Sequence, residues 1–199
     1  MIMISEVPFY GMRPFVHLLL SGVFERFPKL KFVITEGSAA SVAAIVRQLD
    51  PIIENVRKGE IGELKYTAEN ALPRSASEYF ARQCWVGASF PSIPDAEVRK
   101  IMGADRFMWG SDYPHDEGTG PYSREALRQV FNQVGEAEMR DILAGNAAKL
   151  YDFDLEALRP LAEQYGPTVE ELSTPLDALP ADANEALLRV QRQQDERAA

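Results

Sequence analysis

Arg106-Phe107-Met108-Trp109-Gly110-Ser111-Asp112-Tyr113-Pro114-His115-Asp116-Glu117-Gly118 is the stretch whose reading decides the fold. Its opening, RFMWG, is a short apolar run of the kind that forms a buried strand. The run stops on Ser111-Asp112-Tyr113-Pro114-His115, which places a carboxylate and an imidazole three residues apart just past the strand. An aspartate at a strand end can ligate a hard metal or zinc and can hold a water as general base. The alternative reading is a plain turn, for which Ser, Asp and Pro are well suited.

Two further strands lie upstream. Leu30 to Thr35, LKFVIT, ends on Glu36-Gly37, and Cys84 to Ala88, CWVGA, ends on Ser89. Helical patterns separate them. Arg13 to Phe27 carries Phe15, Leu18, Leu19, Val23 and Phe27 at helical spacing, with Pro14 in the first turn. Ser38 or Ser41 caps a second helix striped with Val42, Ile45, Val46 and Leu49, which Pro51 is expected to kink or restart. A loop follows over 59–73, then Ser75 and Glu78 in capping-box spacing. Helices also fit Asp95 to Met102, closed by Gly103, and 123–134, 136–143 and 146–151. Strands alternating with helices give an α/β chain built of βα units around a parallel sheet, and sites in such folds gather at the carboxyl ends of the strands.

Composition narrows the function. The chain has 199 residues and a formal charge of −9, which gives it no electrostatic reason to bind nucleic acid or anionic lipid. One cysteine excludes an internal disulfide framework, and two histidines leave any metal site dominated by carboxylates. No apolar run approaches the roughly 20 residues needed to cross a bilayer, so the expected setting is cytoplasmic. From 155 to 199 the chain carries nine acidic and four basic residues among prolines, and reads as a helical extension that packs loosely and frays. The part before it, 1–154, holds at most about five βα units, whereas a closed (β/α)₈ barrel needs about 250 residues.

Glu36 is the second candidate. A lone acid closing an apolar strand is costly unless it is solvated, paired or ligating; otherwise it serves the helix that follows, where its charge meets the helix dipole. His17 falls in an apolar helical stripe and reads as a packed or half-buried side chain, and Cys84 as an inert buried thiol.

Three stretches together resemble the amidohydrolase-related family, in the branch of aminocarboxymuconate-semialdehyde decarboxylase and related non-oxidative decarboxylases. They are GVFERFPKLKFVITEG (22–37), RFMWGSDYPHDEG (106–118) and ILAGNAAKLYDFD (142–154). The resemblance implies the C-terminal part of a TIM barrel of the metal-dependent hydrolase type, with these segments as its sixth strand, eighth strand and closing helix, and CWVGASF (84–90) as the seventh strand. It implies that Asp112 is a metal ligand and proton carrier, with Glu36 and His115 as companions in catalysis. Glu36 stands where the decarboxylases carry a histidine. The family's paired HxH ligands and its fifth-strand histidine have no counterpart here.

The resemblance further implies a divalent metal, zinc first, in the complete enzyme, weakly held by this chain alone, and a small carboxylated or cyclic substrate. The rival expectation is a truncated, non-catalytic chain or a partner subunit. The open edge of the first strand, and Phe32, Val33 and Trp109 facing an unfilled interior, lead to the expectation of a homo-oligomer.

Overall fold

Three short strands, β1 (Phe32–Thr35), β2 (Cys84–Ser89) and β3 (Phe107–Gly110), lie where the apolar runs place them, in the order β1-β2-β3. β1 and β2 are parallel, with Phe32 opposite Cys84 and Thr35 opposite Gly87. The structure is a computed structural model that describes residues 2–59, 68–89 and 91–198. The chain divides into two units, Met1–Gly87 and Ala88–Ala199. The loop expected over 59–73 and Phe90 lie partly or wholly outside the described residues.

In the first unit, α1 (Ile2–Leu20), α2 (Val23–Arg26), α3 (Ala39–Lys58) and α4 (Ala76–Gln83) surround the β1–β2 pair. Phe15 is the hub. Its ring stacks on Phe32 at 6.1 Å, meets Phe80 edge-on at 6.3 Å and lies 6.5 Å from Phe24. Phe32 is therefore engaged on the helical side, not left facing an empty interior. α1 begins well before Arg13 and runs unbroken through Pro14, which sits in its middle and not in a first turn. A helix tolerates the lost N–H bond where burial compensates, and Met12, Phe15 and Leu19 on one face of α1 are all buried. The same holds at Pro51. α3 continues past it, anchored by buried Leu49 and Ile53 on either side. His17 is exposed, because the buried stripe of α1 passes through Phe15 and Leu19 and leaves residue 17 on the outer face.

Local capping follows the sequence closely. Ser38, not Ser41, is the cap of α3, its hydroxyl accepting the Ser41 N–H. Ser75 and Glu78 form the reciprocal capping box of α4. At the other end of α4, buried Gln83 donates through Nε2 to the carbonyls of Phe27 (2.8 Å) and Leu30 (3.0 Å), fixing the turn that leads into β1.

The second unit adds α5 (Ile93–Glu97), α6 (Arg99–Met102), α7 (Ser123–Phe131), α8 (Glu136–Arg140), a π-helical turn over Asp141–Gly145, α9 (Asn146–Tyr151), α10 (Leu155–Tyr165), α11 (Val169–Ser173) and α12 (Glu185–Ala198). The expected helix over 95–102 is thus two pieces, introduced by a second box in which Ser92 and Asp95 cap each other. Phe107 lies 6.5 Å from Phe131 of α7, and Trp109 borders a small apolar gap with Leu127, Val130, Phe131 and Val190. Trp109 therefore faces helices α7 and α12, and the expectation that it lacks cover is corrected. α12 does not pack loosely: Ala186, Leu187 and Val190 are buried, and Gln129 donates to the Leu187 carbonyl. Its polar sequence hid a three-residue apolar contact strip. No helix among the described residues is long and apolar enough to cross a membrane.

Asn146, at the start of α9 and 3% exposed, donates through Nδ2 to the carbonyls of Ala104 (2.7 Å) and Phe107 (2.8 Å). Replacing it by alanine strands two carbonyls at the entry of β3. Asn146→Ala is expected to lower unfolding free energy by about 3 kcal/mol. A urea midpoint unchanged from the parent would show that water reaches these carbonyls.

Candidate active site

The chain leaves β3 through Gly110 and Ser111 and turns sharply at Asp112, whose φ of 63° lies in the left-handed region. Aspartate is among the few side chains that enter this region at modest cost. The turn is then wound by backbone bonds. The His115 N–H donates to the Asp112 carbonyl (2.9 Å), Gly118 to His115 (3.1 Å) and Thr119 back to Ser111 (2.9 Å). The Ser111 hydroxyl accepts the Tyr113 N–H, and the Thr119 hydroxyl bonds Ser123 at the start of α7. Asn184, ahead of α12, donates to the carbonyls of Gly118 and Gly120. Close by, the Asp182 carboxylate bonded to Tyr122 holds that phenol above its ordinary range.

This winding requires Gly118. A Cβ there would lie 2.7 Å from the Ser111 carbonyl oxygen, 3.1 Å from that of His115 and 3.2 Å from that of Asp112. Glycine at 118 thus lets three main-chain oxygens converge inside the loop.

The loop brings Asp112 and His115 together. The Asp112 side chain is only 10% exposed, and its Oδ2 lies 3.2 Å from Nδ1 of His115, which is 58% exposed. Glu117 joins them: one ligand atom from each of Asp112, His115 and Glu117 falls within 4.8 Å of the others. Sequence reading does not single out Glu117, since it sits in an acidic Asp-Glu pair that looks like ordinary solvated loop. Its spacing of two from His115 was the available signal. Two carboxylate oxygens and an imidazole nitrogen are a donor set that suits zinc or manganese, and a catalytic zinc usually keeps three protein ligands and an open position. The residues present therefore fit a divalent ion.

Glu36 belongs to the first unit. It directly follows β1, is exposed, has a φ of 54°, and its N–H donates to the Gly87 carbonyl at 3.2 Å, extending the β1–β2 ladder by one step. A left-handed turn bearing an acid therefore follows β1 directly, at Glu36, and follows β3 two residues past its end, at Asp112. His17, on the outer face of α1, and buried Cys84 take no part in the loop.

A family model described as amidohydrolase matches residues 8–153. No match is found among curated proteins. Among solved structures, 5-carboxyvanillate decarboxylase from Sphingomonas paucimobilis is similar with a TM-score of 0.58 and 24% identity, over 73% of this chain and 41% of that one. A dihydroxybenzoic acid decarboxylase from Polaromonas sp., solved with manganese and the inhibitor 2-nitroresorcinol, gives 0.53 and 22%, over 71% and 40%. An amidohydrolase from Mycobacterium avium subsp. paratuberculosis gives 0.52 and 26%, over 67% and 31%. The chain thus spans about two fifths or less of these proteins, and its fold is that of part of a TIM-barrel-like enzyme.

Gly118→Ala tests the winding of the loop. The added methyl meets backbone oxygens, which cannot swing aside, so a loss of about 1–3 kcal/mol is expected, together with amide chemical-shift changes over 111–119. Unchanged stability and spectrum would mean that the loop is more open than described.

Proposed function

The chain belongs to the amidohydrolase family, and from that premise we propose that it serves a metal-dependent hydrolase or non-oxidative decarboxylase reaction on a small carboxylated or cyclic substrate. The observation that carries the reading is the nearly buried Asp112 carboxylate at the end of β3, in contact with an exposed imidazole. Asp112 would hold the ion, joined by His115 and Glu117 of the same loop. When bound, a divalent ion supplies Lewis-acid polarisation of a carboxylate or carbonyl.

The chain's own groups do the rest. Asp112 would be a ligand through one oxygen and, through the one that faces His115 Nδ1, the base that accepts or returns a proton. His115 orients the Asp112 carboxylate and, being exposed, exchanges protons with solvent. Glu36 closes β1, two strands earlier in the chain, and its carboxylate is suited to proton transfer or to a polar group of the substrate. The loop offers three ligand atoms, two of them on exposed residues, so the ion is held weakly and exchanges.

Manganese in one structural relative, and hydroxylated aromatic acids in the names of two, support a divalent ion and an aromatic carboxylate as first probes. We take 1–154 as the barrel portion and 155–199 as the helical addition. A cytoplasmic setting suits a chain whose one cysteine, Cys84, is a buried thiol.

The test is metal-dependent ligand binding. Addition of Mn²⁺ or Zn²⁺ is expected to create binding of dihydroxybenzoate, read by ligand-observed NMR, and removal by chelator to abolish it. Asp112→Asn should weaken the ion's affinity roughly tenfold or more, because the amide keeps the shape and loses the charge. Aromatic-acid binding that ignores the metal, or metal affinity that ignores Asp112→Asn, would overturn the reading. So would a stoichiometric ion retained through dialysis against mild chelator, which would mean a complete site elsewhere.

A further inference from the structure

Helix α10 has no buried residue, although its sequence is strongly apolar on one side. Leu155, Leu158, Leu161 and Tyr165 are 50%, 43%, 54% and 66% exposed, and Tyr151 and Phe153, whose rings pair at 5.9 Å, extend the stripe at 51% and 55%. An isolated helix of eleven residues is marginal in water, and most helices owe their stability to packing of such a face. Hydrogen bonds among the described residues fasten α10 at its ends: Asp154 caps its first turn, and Arg124 donates to the carbonyls of Tyr165 and Gly166 at its last. The family match stops at residue 153, just ahead of this helix.

We propose that the α10 stripe is a self-association surface, which takes the α10 stripe of a second copy of this chain in antiparallel, two-fold fashion. Charge favours this occupant. Glu156, Arg159 and Glu163 follow one another at spacings of three and four, on the side of the helix away from the leucines, and Arg159 is already paired with Glu156. Two copies with a net charge of −9 each can therefore meet on this stripe without opposing like charges across it. The residues flanking the stripe, Ala157 and Ala162, are small and allow close approach of the helices.

The same polar face argues against a lipid surface, which needs a basic face. A two-fold axis near Pro160, the centre of the helix, sets Leu158 beside Leu161 of the second copy and Leu155 beside Tyr165, an isologous contact. Six large side chains about half exposed offer on the order of 600 Å² per copy, near the lower bound of a stable interface. The inference does not rest on the proposed chemistry.

Sedimentation equilibrium of the full chain over about 1 to 100 µM decides it. A monomer–dimer equilibrium is expected, weakened roughly tenfold or more by the double variant Leu158→Glu, Leu161→Glu. Both positions are half-exposed and glutamate is a good helix former, so unchanged circular dichroism is the control for folding. A milder pair, Leu158→Ala, Leu161→Ala, covers the case in which it is not met, and should weaken the dimer in the same direction. Thr35→Lys, on the exposed residue of edge strand β1, should leave the dimer intact. A monomer throughout the range overturns the proposal. So does a dimer indifferent to the α10 variants, or one lost with Thr35→Lys, which would place the contact on the open strand edge.

Discussion

β1 and β3 are held at their entry points by single buried carboxamides. Gln83 spans the carbonyls of Phe27 and Leu30 ahead of β1, and Asn146 spans those of Ala104 and Phe107 at the start of β3. Short strands of four residues have few ladder bonds to fix their position, and a buried carbonyl without a partner is expensive. An amide nitrogen has two donors, so one side chain settles two carbonyls and fixes their separation. Each clamp comes from a helix boundary: Gln83 is the last residue of α4 and Asn146 the first of α9. The helices thus set where the strands begin, and the strands in turn set where Glu36 and Asp112 emerge.

What emerges is shaped mainly by the backbone. Around Asp112 the chain closes on itself through its own amides and carbonyls, and side chains from the starts of α7 and α12 secure the loop from outside. Asp112 is thereby withdrawn from water while His115 and Glu117 stay at the surface. A carboxylate so placed costs desolvation that a neighbouring imidazole, or a cation, can recover. That asymmetry, one sheltered acid with two exposed companions, is what separates this loop from an ordinary acidic turn.

Much of this was legible in the sequence, for physical reasons that can be named. The strands announce themselves because buried strands of parallel sheets are continuous apolar runs, and LKFVIT, CWVGA and RFMWG are such runs. The Ser75–Glu78 box is a local pattern needing no tertiary knowledge. The Asp112–His115 contact follows from a spacing of three in a tight loop. The misses are all tertiary. Pro14 looks like a first-turn residue and Pro51 like a kink or restart until the buried faces on either side of them are known. Phe32 and Trp109 look inward-facing until Phe15 and α7 are seen to cover them. α12 reads as a polar tail because only Ala186, Leu187 and Val190 of it are buried. Glu117 offered only its spacing of two from His115, and an acid in a loop is the most ordinary of observations.

The left-handed turns at Glu36 and Asp112 separate two things that inheritance usually carries together. Glycine and asparagine occupy that backbone region at least as easily as aspartate. A lineage could therefore exchange Asp112 for either and keep the loop, its winding and its anchorage to α7 and α12, while losing the charge. Conformational strain would, if anything, be relieved. Drift toward an inert descendant is downhill in stability at this position, so the acid persists only while selection for its chemistry holds it there. Among sequences of this kind, the shape of the loop after β3 records ancestry, and the identity of the one residue at its turn records use.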